Sequence, residues 1–274
     1  MKKSKIKDSR LKIRDPKAEI QDSGFKTGDL KLKIKDSSLK MRDPNTGIQD
    51  PGFKTGDSKL KIGVLVSGNG SNLQAIIDRI KEGKLHANVQ VVVSDNANAY
   101  AVERAKHSTI PVHVVDYKAF PRREEAEQSI IALLNDYHVG LVVLAGYMKL
   151  MTKKFINAFP LRIINIHPAL LPSFPGINVI QKAMNYGVKF TGCTVHFIDE
   201  GTDTGPIIIQ AVVPVMDNDT EETLAQRIHE KEHVIYPLAI QLFAENRLVV
   251  KDRRVFVDGY MYSGQSPFIN PYNP

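Results

Sequence analysis

The chain has 274 residues, with 37 Lys and Arg against 30 Asp and Glu, 42% hydrophobic residues and one cysteine. That length buries an ample core, and no apolar run approaches the eighteen or so residues of a membrane span, which excludes an integral membrane protein. A single Cys193 makes no internal disulfide, and the absence of a secretory apolar segment fits a cytoplasmic protein.

The first 60 residues are repetitive. Asp recurs at 8, 15, 22, 29, 36, 43, 50 and 57, and blocks 5–32 and 33–60 agree at 21 of 28 positions. The apolar columns, Ile6, Ile13, Ile20, Ile34 and Ile48 beside Leu11, Phe25, Leu32, Leu39 and Phe53, lie five and two residues apart. A coiled-coil seam needs three and four. Pro16, Pro44 and Pro51 also break any continuous helix. The composition predicts a mostly disordered, charged arm over residues 1–60, such as a translated repeat ahead of a gene start would give. Residues 1–60 hold 16 basic and 9 acidic residues, so they carry the whole net charge of +7. The neutral remainder argues against a nucleic-acid face as the main business of the fold.

From Lys61 the pattern becomes that of a folded domain, expected over 61–257. Strands are predicted at Lys61–Val66, Val89–Val93, Val112–Val115, Leu141–Ala145 and Arg162–Ile166. Helices are predicted between them at Leu73–Lys84, Ala99–His107, Arg123–Tyr137 and Lys153–Ala158, each with an apolar stripe or turn signal. This alternation predicts an α/β fold, a Rossmann-like, mainly parallel sheet with helices on both faces. After a helix at Asn178–Tyr186, strands at Thr194–Ile198 and Ile207–Val213 have a short connection, so the C-terminal portion turns antiparallel. A helical stretch over Thr220–Glu245 containing Pro237, a hairpin over Leu248–Val257 and a tail over 258–274 complete the chain.

Three segments carry chemistry. Ser67-Gly68-Asn69-Gly70-Ser71-Asn72 joins the first strand to the first helix, where backbone N–H groups and the helix dipole suit a phosphate. It is neither a Walker loop nor a full dinucleotide fingerprint, since Leu73 takes the third glycine place. A tight turn with an N-cap is the plain alternative. Asn165-Ile166-His167-Pro168 lies at the C-terminal edge of a parallel strand, with Asn165 and His167 on one side. An imidazole there can give a proton and an amide can steady an oxyanion, though a satisfied polar pair would look alike. Asp199–Pro206 joins two strands and standing alone reads as no more than a turn, though a carboxylate brought near His167 would stabilise its charged form. The other seven histidines, His196 among them, need no role. No metal-ligand spacing and no serine-hydrolase elbow occur, so no metal is expected.

Taken together, these segments and their order resemble the phosphoribosylglycinamide formyltransferase family. The resemblance covers Lys61 to about Val257 and none of the arm. It rests on V-S-G-N-G-S-N-L-Q-A-I (66–76), L-A-G-Y-M (144–148), N-I-H-P-A-L-L-P (165–172), G-C-T-V-H-F-I-D-E-G-T-D-T-G-P (192–206) and E-H-V-I-Y-P (232–237). It implies formyl transfer from 10-formyltetrahydrofolate to glycinamide ribonucleotide in purine synthesis. It further implies that Gly70, Ser71 and Asn72 hold the substrate phosphate and that Glu232 lies near the ribonucleotide. Arg123, Met148, Lys149, Leu150 and Met151 would meet the folate. Asn165 would contact the formyl group, His167 would be the proton donor and Asp203 would tune it. Thr202 stands where the family usually has an apolar residue, and Asn178-Val179 replaces a His-Ala type pair. Formyltetrahydrofolate hydrolysis, or another folate-dependent formyl transfer, is the nearest alternative, and the phosphate loop speaks against it. A silent nucleotide-binding protein, or an arm that binds RNA or an acidic membrane, is weaker still, because Asn165, His167 and Asp203 are intact and the arm's own Asp series dilutes its field. Monomer and homodimer both stay open.

Overall fold

The computed structural model describes residues 59–259. The expected arm up to residue 58 and the expected tail from residue 260 lie outside the described residues.

Lys61–Val66 reads as a fully buried strand, and β1 (Leu60–Val66) is one. Because strand side chains alternate, Ile62, Val64 and Val66 enter the core on one side of the sheet while Leu65 enters the other. β4 (Leu141–Leu144) divides in the same way, Leu141 and Val143 against Val142 and Leu144. The helices that cover these faces are read from their own stripes. α1 (Ser71–Lys81) buries Leu73, Ile76 and Ile77 on the first face. α3 (Arg123–Asp136) buries Ala126, Ile130 and Leu134 on the second. Each such Leu or Ile contributes about 1.5–3 kcal/mol by leaving water.

β2 (Ala87–Ser94), α2 (Tyr100–His107), β3 (Val112–Val114), α4 (Lys153–Ala158), β5 (Ile163–His167) and α5 (Val179–Tyr186) follow the expected alternation. Then come β6 (Phe190–Phe197), β7 (Ile207–Pro214), α6 (Glu221–Ala244) and the hairpin of β8 (Leu248–Lys251) and β9 (Arg254–Val257). The nine strands form one sheet in the order β3-β2-β1-β4-β5-β6-β7-β9-β8. Pairing is parallel from β3 to β5 and antiparallel for β5–β6 and β6–β7, as the sequence predicts. The order reverses at β1, whose neighbours are β2 and β4. That switch point opens a crevice at the strands' C-terminal ends, where the loop after β1 and the loop after β4 part.

Two local differences have physical causes. β6 begins at Phe190, four residues before the expected Thr194. Gly192 reads as a strand end, yet it is a close-approach position: a Cβ there would sit 1.9 Å from the Ala211 carbonyl oxygen on β7. Tyr117–Ala119 forms a short 3-10 turn that the sequence did not signal. α6 continues through Pro237, and its buried Tyr236 hydroxyl shares its one hydrogen between the carbonyls of Leu144 (2.9 Å) and Ile164 (3.1 Å). Among the described residues, no helix is long and apolar enough to cross a membrane.

Candidate active site

β5 carries Asn165 and His167 on one face because strand side chains repeat every second residue. β6 runs antiparallel beside it in a register that sets His196 opposite Asn165 and Thr194 opposite His167. Thr194 fixes the chain beyond Pro168: its hydroxyl donates to the Ala169 carbonyl (2.7 Å) and accepts from the Leu171 N–H (3.1 Å).

His167 is almost wholly buried, at 4% exposure. Its Nε2 lies 2.9 Å from the Phe174 carbonyl oxygen and its Nδ1 lies 3.4 Å from Asp203 Oδ2. Both ring nitrogens therefore face acceptors, so a proton on either one has a partner. Asp203 stands in the left-handed region at φ 54°, a conformation Asp tolerates better than most residues. Its Oδ2 also accepts the Gly176 N–H at 2.8 Å. The loop that presents it is stapled by Asp199, whose Oδ1 accepts from the Gly201 N–H (3.1 Å) and the Thr204 hydroxyl (2.6 Å). Arg253, in the β8–β9 turn, holds the loop from outside by donating to the Thr204 carbonyl at 2.6 Å.

His196 belongs to this group, although sequence reasoning gave it no role. Its Nδ1 donates to the Phe197 carbonyl (2.9 Å), which leaves Nε2 with a lone pair, 3.3 Å from Asn165 Nδ2. Burial pushes its pKa below the ordinary histidine value, which preserves the neutral ring. A neutral His196 thus accepts one amide hydrogen of Asn165. The signal that could have found it is period-two pairing across an antiparallel neighbour, which needs the register.

At the other wall of the crevice, Gly70 caps α1 in the left-handed conformation (φ 76°, ψ 29°) and offers no side chain to the first-turn N–H groups. No acidic residue occupies that first turn. The end of α1 therefore keeps its positive partial charge uncancelled. Asn72 turns its side chain inward, donating to Glu232 Oε2 at 2.9 Å, so its backbone and not its amide faces the loop. Glu232 is 3% exposed, and burial holds its carboxyl above the usual carboxylate range. The structure thus brings together Gly70, Ser71, Asn72 and Glu232. Ser67 Oγ accepts the Met148 N–H at 2.9 Å, tying this loop to the one after β4 across the switch point.

On the far side, Met148 and Leu150 are exposed apolar side chains, while Met151 packs against the second core. Lys149 lies 3.6 Å from Asp95 and over the Tyr117 ring. Arg123 donates through Nε to the buried Glu127 (3.1 Å), and Thr152, the N-cap of α4, donates to the same carboxylate. α3 and the start of α4, just after the 148–151 loop, are joined through that one buried carboxylate. Thr202 is exposed at the loop rim, and Asn178 caps α5 at φ 56° with Val179 buried below it.

The His167–Asp203 pair and the uncapped, glycine-rich start of α1 thus lie on one edge of a switched α/β sheet. The chain belongs to the formyl transferase family, whose model matches residues 60–240. It is 41% identical over 196 residues to the phosphoribosylglycinamide formyltransferase of Escherichia coli K12, covering 72% of this chain and 92% of that protein. It is 44% identical over 189 residues to the trifunctional purine biosynthetic protein adenosine-3 of Drosophila pseudoobscura pseudoobscura, of which it spans 14%. Glycinamide ribonucleotide transformylase 1 of Symbiobacterium toebii superposes with a TM-score of 0.73 at 48% identity, covering 77% of this chain and 99% of that one. A formyltetrahydrofolate deformylase of Pseudomonas syringae superposes with a TM-score of 0.68 at 27% identity, covering 73% and 66%.

Proposed function

We propose that this chain transfers the formyl group of 10-formyltetrahydrofolate to the amine of glycinamide ribonucleotide, giving formylglycinamide ribonucleotide and tetrahydrofolate, a cytoplasmic step of purine biosynthesis. The observation that carries the reading is the uncapped, glycine-rich start of α1, tied through Ser67 and Met148 to the loop beside the acid–base centre. Phosphate bound at that helix end places the glycinamide amine toward Asn165 and His167, and Glu232 meets the ribose side. Met148, Leu150 and Met151 give apolar contact to the folate, with Lys149 and Arg123 as its polar partners.

The amine attacks the formyl carbon and a tetrahedral intermediate forms. Its oxyanion is met by the amide hydrogen of Asn165 not engaged by His196 and by doubly protonated His167. His167 gives up a proton from its Nδ1 edge, beside partly exposed Asp203, because Nε2 is held by the Phe174 carbonyl. The departing folate nitrogen takes that proton, and the proton shed by the attacking amine returns through Asp203 to His167 Nδ1, so the ring ends as it began. Holding both substrates in one crevice supplies much of the remaining acceleration.

Hydrolysis of the formyl-folate would use the same His167 and Asp203 with water as acceptor, but it leaves the phosphate loop without a task. The test is formyl transfer by the purified chain, followed by tetrahydrofolate release with glycinamide ribonucleotide present and absent. Release that depends on the ribonucleotide is expected. Equal release without it would overturn the reading in favour of hydrolysis.

A further inference from the structure

The loop Ser67–Asn72 has two glycines and no side chain capping the helix it opens. Such a segment is loose in isolation, and ordering it on ligand binding would cost affinity. What holds it lies 30 residues further on, in α2. The Ala101 N–H donates to the Gly68 carbonyl at 3.1 Å. Ala101 also lies directly under Gly70, where an added Cβ would come within 2.6 Å of the Ala101 Cβ. Arg104, one turn along, grips the loop twice and α1 once. Its Nε donates to the Asn69 carbonyl (2.9 Å), its Nη2 to Asn69 Oδ1 (3.1 Å) and its Nη1 to Gln74 Oε1 on α1 (3.3 Å). The guanidinium lies over the Tyr100 ring, 4.6 Å from its centroid, which fixes the plane of the fork. With Ser71, Gln74 and His233 it lines a groove of about 460 Å³ running from the start of α1.

We propose that Arg104 is the positioning residue of the phosphate cradle: its fork, braced on Tyr100, keeps the Gly68–Gly70 backbone in the shape that receives the ribonucleotide phosphate. The inference rests on the reading of this loop as a phosphate site. Arg104 acts through Asn69 and Gln74, so its contribution appears in phosphate-dependent affinity and leaves the chemical step alone.

The experiment compares the full chain with Arg104→Ala, Arg104→Lys and Asn69→Ala, using glycinamide ribonucleotide and the glycinamide riboside that lacks phosphate. In Arg104→Ala the KM for the ribonucleotide should rise on the order of tenfold or more, the loss of one charge-assisted clamp. The kcat at saturation, the KM for 10-formyltetrahydrofolate and the affinity for the riboside should stay unchanged. Arg104→Lys keeps the charge but lacks the planar fork, and should remain impaired. Asn69→Ala, which removes a single acceptor and leaves the backbone bond, should shift the same KM in the same direction by a smaller factor and guards against a poorly folding Arg104 variant. If wild type distinguishes the two acceptors and Arg104→Ala distinguishes them equally well, the clamp is wrong while the cradle stands. Full recovery in Arg104→Lys would also overturn it, leaving a point charge in its place. If wild type binds both acceptors alike, the phosphate reading itself falls and the inference with it.

Discussion

At Asn165 the geometry asks one amide to present a hydrogen in a fixed direction, and a neutral His196 supplies the lone pair that holds the other hydrogen. His196→Ala should therefore lower kcat on the order of tenfold, about 1.4 kcal/mol of lost transition-state placement, with both KM values nearly unchanged. Steady-state kinetics on both substrates checks this, and a changed KM with normal kcat would count against it. His167→Ala removes the proton donor itself and should cost at least 10²-fold in kcat while ribonucleotide binding, measured by calorimetry, stays close to wild type. Asp203 lies 3.4 Å from His167 Nδ1 and 3.7 Å from His196 Nε2. Asp203→Asn keeps the hydrogen bonds of the loop largely in place but loses the charge facing both imidazoles, so its kcat should lie between those of wild type and His167→Ala. The two halves of the centre differ in how far a sequence exposes them. Asn165 and His167 sit together at a strand end where their types suggest acid–base work, whereas Asp203 is picked out from Asp199 and Glu200 only by the family resemblance. His196 is 31 residues from its partner and sits in a strand whose alternation reads as plain core, so only the β5–β6 register reveals it.

Among the elements, the alternation of strands and helices follows from periodicity, because each strand that is buried on both faces shows a continuous apolar run and each helix a stripe. The strand order does not follow, since nothing local in β1 says that β2 and β4 flank it. The Gly70 position shows the same divide: two glycines before a helix suggest anion binding, but the reason Gly70 admits nothing larger is Ala101, brought underneath by tertiary packing. Gly70→Val should abolish phosphate-dependent affinity, since its side chain would meet α2 in a left-handed backbone that branched residues resist. Calorimetry with the phosphorylated and unphosphorylated acceptors decides it, an unchanged ratio being the outcome that refutes it. The start of α6 offers a test of pH dependence. Asp219 accepts from Arg227 (2.7 and 3.0 Å), from the Met216 N–H (2.7 Å) and from the Thr223 hydroxyl (2.9 Å). The Arg227 hydrogen bonds, first among these, hold its carboxyl well below the usual carboxylate range. A depressed carboxyl contributes stability that is present above the unfolded value and lost as pH falls toward the folded one. The gap in Tm between wild type and Asp219→Asn should accordingly be widest above about pH 4 and close on further acidification. A gap that is constant with pH would show that the charge is not what stabilises this helix start.

For the whole molecule, the charge is divided so that residues 1–60 carry the net +7 and the remainder is neutral. The family match spans residues 60–240. Every residue placed in the site lies within that span: Gly70 to Asn72 at one end of the crevice, Glu232 on α6, and the Asn165, His167, Asp203 and His196 group between them. The contacts that order these residues are likewise internal to the matched region or come from the β8–β9 hairpin through Arg253 and Thr204. Removal of residues 1–58 should therefore leave both KM values, kcat and the Tm of the domain within error of the full chain. Removal of the hairpin at 248–257 should not, because it takes away the outer hold on the loop that carries Asp203 and the buried Leu248. The competing view gives the repeated Ile and Leu/Phe columns of the arm a partner on the domain, and it predicts a lower Tm and slower turnover after truncation. Calorimetric melting and steady-state kinetics on the truncated and full chains, run side by side at low and high salt, separate the two. A loss of activity that appears only at low salt would point to the arm's positive charge drawing in the anionic ribonucleotide and would refute a passive arm. Matching curves at both salts would place the working enzyme entirely after residue 58.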